Sequence, residues 1–515
     1  MTKRRDFLKG CSLGAAVSAL GSARAAAAGP DAVVIDPKPL FDISPYLYMQ
    51  FMEPLGSQDG SVEAAWDYRN DDWLKSFVAV VKDLAPDSIR FGGIYSSYYK
   101  WREGVGPVKS RPWIHNYMWG GKETNRVGTH EFVDLCRRTG AEPFYCVNFM
   151  SDGRPEYIKT WDGQNRSGDA KEAADWVSYA NDPDNKERKG HGVAQPYNMK
   201  LWQLGNETSY SETGFNKEQA IATTIEFAKA MRQRDRSIQL IGWGDWRTGA
   251  AGRELWATDM AKRAGDQLDY IAFHMGGQGP SRKDSVLRGY QYQKFPEKGW
   301  EELIEIRPQI EARVKEIEDA VRAVSPKLKI AVTEGHMGLF RSSLLPNSWL
   351  VGVYQAQVFN TYQRHGDMLK ISTNADFEGT RWASNAVMIS GGTSYLRPVA
   401  SVMRLFKRVN GKQGVAVTSR PSDLDIAASR TGNKLYLHVA NTNYNRSVGA
   451  SFSVPGMTVG GGKVYEIAPE DPLECIYEGA PDLFKPTEKA IAPAPVARWT
   501  FPARSVSAVE LDLRA

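Results

Sequence analysis

Two short β-like runs in this chain end in a glutamate. One, KLWQLGNE, passes through Gly205 and Asn206 into Glu207; the other, KIAVTE, reaches Glu334 and is followed by Gly335 and His336. The two acids lie 127 positions apart (334 minus 207), so only a closed fold can bring them together. Two carboxyl groups facing one cleft can give a proton to a leaving oxygen and offer a nucleophile to the carbon it departs from, which is what cleaving a glycosidic bond requires. A single glutamate at a strand end is more often solvated or salt-bridged. The pairing of two, with Asn206 directly before the first, is what points to chemistry.

Placing both acids at one mouth calls for a parallel sheet closed on itself, and the chain carries its pattern. From about residue 46 to 380, β-rich runs alternate with helix-like segments. Eight strands are predicted: Tyr46–Glu53, Asp87–Phe91, Pro143–Asn148, Lys200–Asn206, Ile238–Trp243, Tyr270–His274, Lys329–Glu334 and Leu369–Asp376. Between them the spacing predicts helices such as Lys217–Arg234 and Trp300–Val324. The fold class is therefore α/β, a (β/α)8 TIM barrel over 46–394, whose active site belongs at the C-terminal ends of the strands. Tyr48 is expected to point into the barrel. After about Ser394 the β-like runs continue without helices, separated by Gly, Pro and Asn, which predicts a C-terminal antiparallel β-sandwich over 395–515. A strand within 32–45 is positioned to join that sandwich.

Composition narrows the function classes. The chain has 515 residues, 42% hydrophobic and 24% charged, enough for one large core and one smaller one. Its net charge of +5 is spread without blocks, so a phosphate-tracking surface and a nucleic-acid partner are not expected. The 15 tryptophans supply rings that stack on sugars as readily as they fill cores. Residues 1–28 have the form of a processed leader: Arg4 and Arg5 precede an apolar run and the small-residue stretch Ser22 to Ala28, resembling a twin-arginine signal cleaved after Ala25 or Ala28. No later segment approaches a membrane span, so the mature chain is expected to be soluble, periplasmic or secreted. Cys136, Cys146 and Cys475 remain after the leader, an odd set without metal-ligand spacing. No metal site and no organic cofactor is expected.

The stretch from Glu172 to Glu207, with EAADWVSYAN, RKGHG and QPYNMKLWQLGNE, resembles the segment leading to the acid/base glutamate of glycoside hydrolase family 51, the α-L-arabinofuranosidases. FMEPLG at Phe51–Gly56, SIRFGG and YKWREGVGPVKSRP within Ser88–Pro112, RRTGAEPFYCVNF, LDYIAFH, VTEGH and a C-terminal FPARSVSAVEL extend the resemblance over nearly the whole mature chain. It implies a retaining hydrolase with Glu207 as general acid/base and Glu334 as nucleophile. It further implies Asn206 as donor to the sugar 2-hydroxyl, Glu53 as a ligand of sugar hydroxyls, and Arg90 as the cation that keeps the nucleophile ionised. For Arg90 a structural salt bridge is the alternative, and for His274, at the end of strand six, a packed and satisfied side chain. Trp101 and Trp202 either line the sugar site or fill the core. A homo-oligomer is also implied. Three positions depart from the family: Ile94 stands where a small or polar residue is usual, Gly276 replaces a tyrosine, and Asp376 replaces a glutamine. All three belong to the part of the pocket that grips the furanose, and Asp376 is read as a substrate-binding acid. The leading substrate is a terminal α-L-arabinofuranosyl unit; the alternatives are another furanoside, a xyloside or a β-glycan, and, outside enzymes, a carbohydrate-binding protein without catalysis.

Overall fold

The structure, a computed structural model, describes residues 29–514 apart from 250–251, 279–282, 339–342 and 383. The leader, 1–28, lies outside the described residues. Eight short parallel strands pair in chain order: Met49–Met52, Ser88–Phe91, Glu142–Val147, Leu201–Leu204, Gln239–Trp243, Tyr270–Gln278, Lys329–Met337 and Leu369–Ile371. The ring closes through Asp376–Gly379, which pairs with the first strand at Asp376 and Phe51, and through Met49 N–H donating to Ser372 O at 2.9 Å. The predicted eighth strand, Leu369–Asp376, is thus split in two. Its middle leaves the ladder because Ser372 Oγ donates to Leu47 O and Thr373 Oγ1 to Ala375 O, side-chain bonds that replace the backbone ladder.

Side chains alternate along the first strand, and the alternation decides what faces the mouth. Phe51 lies against the buried Arg90 guanidinium, whereas Gln50 bonds Met403 of an outer helix. Tyr48 packs on Phe359 of the seventh barrel helix, so it faces outward, one register position from the expected interior. The helix predicted over Lys217–Arg234 forms over those residues, opened by Asn216 and Gln219 in a reciprocal capping box and buried through Ile221, Phe227, Ala228 and Met231. The single helix predicted over Trp300–Val324 is instead two, Pro296–Ile304 and Arg307–Arg322. Pro308 lacks an N–H and disfavours helical backbone before it, so it starts a helix and cannot continue one.

The boundary predicted at 394/395 is displaced. Asn385–Ser390 and Thr393–Leu396 form a hairpin on the barrel sheet, and the helix Pro398–Arg408, at the eighth helical position of the barrel, packs against the helices Lys75–Leu84 and Gly352–Arg364. The β-domain begins at Gln413. It is one nine-stranded sheet, antiparallel except where Ala32–Asp42 runs parallel to Val448–Ser453. Val33, Val439, Phe452, Val464 and Leu511 from its two halves share one apolar core. Ala32–Asp42 also pairs antiparallel with Gln413–Ser419. The two domains are tied by Trp300 Nε1 donating to Thr442 O at 2.9 Å and Trp349 Nε1 to Arg504 O at 2.8 Å.

Candidate active site

The strand ends converge on a few polar side chains. Arg90, fully buried at the end of the second strand, donates from Nη1 to Glu334 Oε1 at 2.9 Å and from Nη2 to Asn206 Oδ1 at 2.6 Å. His274 Nδ1 lies 2.9 Å from Glu207 Oε1 and 3.6 Å from Glu334 Oε2, and its Nε2 lies 3.1 Å from Thr333 Oγ1. One oxygen of Glu207, one of Glu334 and a ring nitrogen of His274 all fall within 4.8 Å of one another. The two acids therefore face each other with their nearer oxygens within 4.8 Å, a gap compatible with a carboxyl pair of the double-displacement kind.

Glu207 owes its place to backbone that ordinary residues avoid. Gly205 has φ +77° and Glu207 itself φ +53°, so the chain turns sharply as it leaves the fourth strand. Asp152, on the neighbouring loop, clamps that turn. Its Oδ1 accepts Asn206 N–H at 2.9 Å and a Cβ on Gly205 would come within 2.5 Å of it, while its Oδ2 accepts Ser97 Oγ–H. Burial lifts the Asp152 carboxyl to about 6 in spite of those donors and of Arg154. With Asn206 Oδ1 held by Arg90, its Nδ2 is a buried donor without a protein partner among the described residues.

Burial raises both acids, against different neighbours. Burial raises Glu207 above the usual carboxylate range; Arg154 and Arg90 oppose the rise and Asp245 adds to it. Burial also raises Glu334, against the pull of His274 and of the Arg90 guanidinium bonded to it. Burial brings the His274 imidazole down to about 4, so the ring is neutral near pH 7 and the fixed cation beside Glu334 is Arg90. The edge of that ring pair is closed by Trp243, 4.6 Å from His274 at 84°. The three ligand-type groups could face a cation as a set, but Arg90 already occupies the Glu334 oxygen with positive charge, and the donor set suits proton transfer better.

Glu53 and Asp376 stand on the opposite side of the mouth. Glu53 Oε1 accepts from Tyr95 N–H at 2.9 Å and Trp119 Nε1–H at 3.2 Å. Burial, then Glu334, pushes its carboxyl well above the usual range. Gly93, at φ +73°, is required here, since a Cβ would lie 2.4 Å from the Glu53 carboxyl. Asp376 is raised by burial and drawn back by His336 and by a bond from Trp382. Gly276 leaves space beside His336, to which a Cβ would approach 3.6 Å, and Ile94 is buried next to the Gly92–Gly93 turn.

Trp101 does not reach this site. Its ring stacks parallel to Trp176 of the helix Ala170–Asn181, and its Nε1 donates to Glu172 O, so it fills the layer between strands and helices. Trp202 belongs to the same aromatic cluster. The apolar environment of a flanking helix, invisible in the local motif, decides both. Conversely, Trp119, Trp382, Asp152, Asp245 and Thr333 were not legible. All but Thr333, which lies inside the seventh strand, sit on loops of irregular spacing, and the doublet Gly120–Gly121 marks the hairpin tip that presents Trp119.

An eight-stranded barrel with two half-buried acids at the ends of strands four and seven, joined to a β-domain, defines the architectural class. Comparison with known proteins gives the relatives. Residues 80–276 match the family described as "Alpha-L-arabinofuranosidase 1 domain", a span holding Arg90, Glu207 and His274 but not Glu334. The chain is 31% identical over 243 residues to an intracellular exo-α-(1→5)-L-arabinofuranosidase of Halalkalibacterium halodurans, covering 45% of each chain. It is 32% identical over 209 residues to a probable α-L-arabinofuranosidase C of Aspergillus fumigatus, covering 39% of this chain and 38% of the relative. These alignments span less than half the length of the relatives. In fold it is similar to the α-L-arabinofuranosidase of Thermotoga maritima solved with arabinose (TM-score 0.71, 24% identity, 93% of this chain and 99% of that one). It is similar too to the family 51 arabinofuranosidase of Xanthomonas axonopodis pv. citri (TM-score 0.77, 18% identity, 93% and 99%). The chain is thus similar to α-L-arabinofuranosidases over part of its length, and it shares the fold of family 51 arabinofuranosidases.

Proposed function

We propose that this protein is a retaining glycosidase that releases terminal α-L-arabinofuranosyl or closely related furanosyl units by a two-glutamate double displacement. The observation that carries the reading is the approach of Glu207, Glu334 and His274 within 4.8 Å, with a fixed cation bonded to Glu334. In the first step the Glu334 carboxylate attacks the anomeric carbon while protonated Glu207 gives its proton to the departing oxygen, leaving a glycosyl ester on Glu334. Esterification removes the negative charge opposite Glu207, so its pKa falls and it can take a proton from the water that cleaves the ester. Asn206 Nδ2 supplies a preset donor for the sugar 2-hydroxyl, Glu53 a ligand for other hydroxyls, and Asp376 the same on the eighth strand.

A second reading, the same mechanism on another sugar, is favoured by Ile94, Gly276 and Asp376 around the furanose-gripping part of the pocket. The fold also accommodates such a change: it is similar at a TM-score of 0.61 to a family 44 endoglucanase of Clostridium thermocellum, at 14% identity and covering 93% of this chain and 99% of that one. A panel of aryl furanosides and aryl pyranosides decides between the two, and release from none of them removes both. In the Glu334→Ala variant turnover should vanish and return in part with azide, which adds from the face the nucleophile vacated and yields a glycosyl azide of inverted configuration. Export through the twin-arginine leader belongs to the same proposal. Replacing Arg4 and Arg5 by lysines should hold the unprocessed chain inside the cell; a processed, exported product from that variant would refute it. Among the described residues no helix is long and apolar enough to cross a membrane.

A further inference from the structure

The loop after the second barrel strand carries a small hairpin, Ile114–His115 paired with Lys122–Glu123, whose tip reaches into the site. Asn116 anchors it: its Oδ1 accepts Trp119 N–H at 2.9 Å and Tyr98 O–H at 2.7 Å, and its Nδ2 donates to Glu123 Oε1 at 2.8 Å. Trp119 is bonded to Glu53 and, through the shared Asn116, sits beside Tyr98, from which aromatic side chains continue along this hairpin onto the next loop. Tyr98 meets Tyr117 edge-on at 5.3 Å, and Tyr117 in turn meets Trp161 at 6.1 Å. His115 meets the same Trp161 at 4.8 Å. Tyr117 O–H donates to Asp162 at 3.1 Å, tying the two loops together.

Trp161 is 74% exposed and Trp113, two positions before His115 and so on the same side of that extended segment, is 68% exposed. Among the described residues nothing stacks in parallel on the Trp161 indole; two edge-on neighbours hold its plane and leave apolar ring surface in water. Two tryptophans so exposed on segments beside a site are candidates for binding a ligand. Rings with flanking acceptors such as Asp162 suit a saccharide, whose C–H faces stack on aromatics while its hydroxyls find polar partners.

We infer that Trp161, Trp113 and Tyr117 form a platform that binds the portion of a saccharide chain remote from the bond being cleaved, so that the protein is built for an oligomeric or polymeric substrate. The inference rests on the glycosidase reading for its catalytic arm only. The hairpin that brings Trp119 to Glu53 also carries Tyr117, and that shared element is what selects a saccharide over a protein partner.

The test uses the full chain with Trp161→Ala and Trp161→Ala/Trp113→Ala. Their kcat/KM on soluble arabinan should fall roughly two- to tenfold more than on 4-nitrophenyl α-L-arabinofuranoside, the loss of one or two stacking contacts, with the change in KM. Trp161→Phe, which keeps a ring, should recover part of the loss. In native gels cast with arabinan, xylan or β-glucan, the Glu334→Gln protein should be retarded by at least one of the three, and the added Trp161→Ala change should release it. An unchanged polymer-to-aryl ratio together with unchanged retardation overturns the platform, as does a Glu334→Gln protein retarded by none of the polysaccharides. If the unaltered protein cleaves no glycoside, the glycosidase reading fails while the gels still judge the platform. Matching thermal melts for variants and parent exclude a folding defect as the source.

Discussion

Arg90 connects Glu334 to Asn206, and in the proposed mechanism its removal separates two limbs of a pH profile. In Arg90→Gln the fixed positive charge beside Glu334 is gone, so the carboxylate is less favoured and its pKa rises. Activity needs Glu334 ionised, so the acidic limb of kcat/KM should move to higher pH by roughly one to three units. The alkaline limb reports loss of the Glu207 proton as pH rises through its elevated pKa, and should move less. A pH–rate profile that keeps its acidic limb would remove Arg90 from this role. Asp152 acts one step further back, through the turn that carries Glu207. Asp152→Ala leaves the buried Asn206 N–H unpaired, at about 1–3 kcal/mol. It should slow substrates with poor leaving groups more than activated aryl glycosides, because only the former depend on an aligned proton donor. Asp152→Asn retains an acceptor and should restore much of the difference; equal losses on both substrate types would reduce Asp152 to a structural residue.

At the level of elements, Asp59 organises the segment that carries Trp382. Burial alone would raise its carboxyl, but Thr380 N–H, Asn385 Nδ2–H, Thr380 Oγ1–H and Trp382 N–H all bond to it, and the net effect is a pKa below the ordinary 3.8. A depressed folded value contributes stability that is present above 3.8 and is lost as pH falls through the folded value. Asp59→Asn should therefore flatten the acid side of a stability-versus-pH curve measured by urea unfolding, and should raise KM through a loosened Trp382 segment. Capping is a simpler case. Asn216 accepts Gln219 N–H at 2.9 Å, and Asn216→Ala should cost about 1 kcal/mol in the same unfolding assay. That helix could be read from the chain because its cap and its apolar spacing agree, whereas the break at Pro308 inside Trp300–Val324 was hidden by an uninterrupted run of helix-forming residues on either side. The split eighth strand was equally hidden: Leu369–Asp376 reads as one run, and its middle leaves the ladder because Ser372 bonds Leu47 beside the first strand and Thr373 bonds Ala375 two residues on.

At the scale of the whole molecule, the barrel and the β-domain are not independent. Ile476, Phe484, Val506 and Ala508 of the β-domain belong to the same continuous apolar core as the barrel strands. Trp349 packs on Phe484 at 5.1 Å, and His438 stacks on Phe406 at 4.0 Å. Arg364 pairs with the buried Asp425 at 2.9 Å across the boundary. A chain ended after Asn410 would expose this surface and leave Trp349 Nε1–H unpaired. It should be recovered as aggregate, and the full chain should unfold in one thermal transition; a soluble barrel with native near-ultraviolet dichroism would contradict that.

The amino-acid sequence by itself determined the alternation of strands and helices, the change to β-structure toward the C-terminus, and the two glutamates, because each is written in local periodicity or in residues at strand ends. It left open which side of a wall a ring would occupy, so Trp101, Trp202 and Tyr48 could not be placed without the neighbouring helices. Only the tertiary structure decided that Glu207 and Glu334 share His274, that Arg90 bridges Glu334 to Asn206, and that Asp152 holds the turn between them. Those contacts join residues far apart in the chain, and their geometry depends on the closure of the ring rather than on any stretch of sequence.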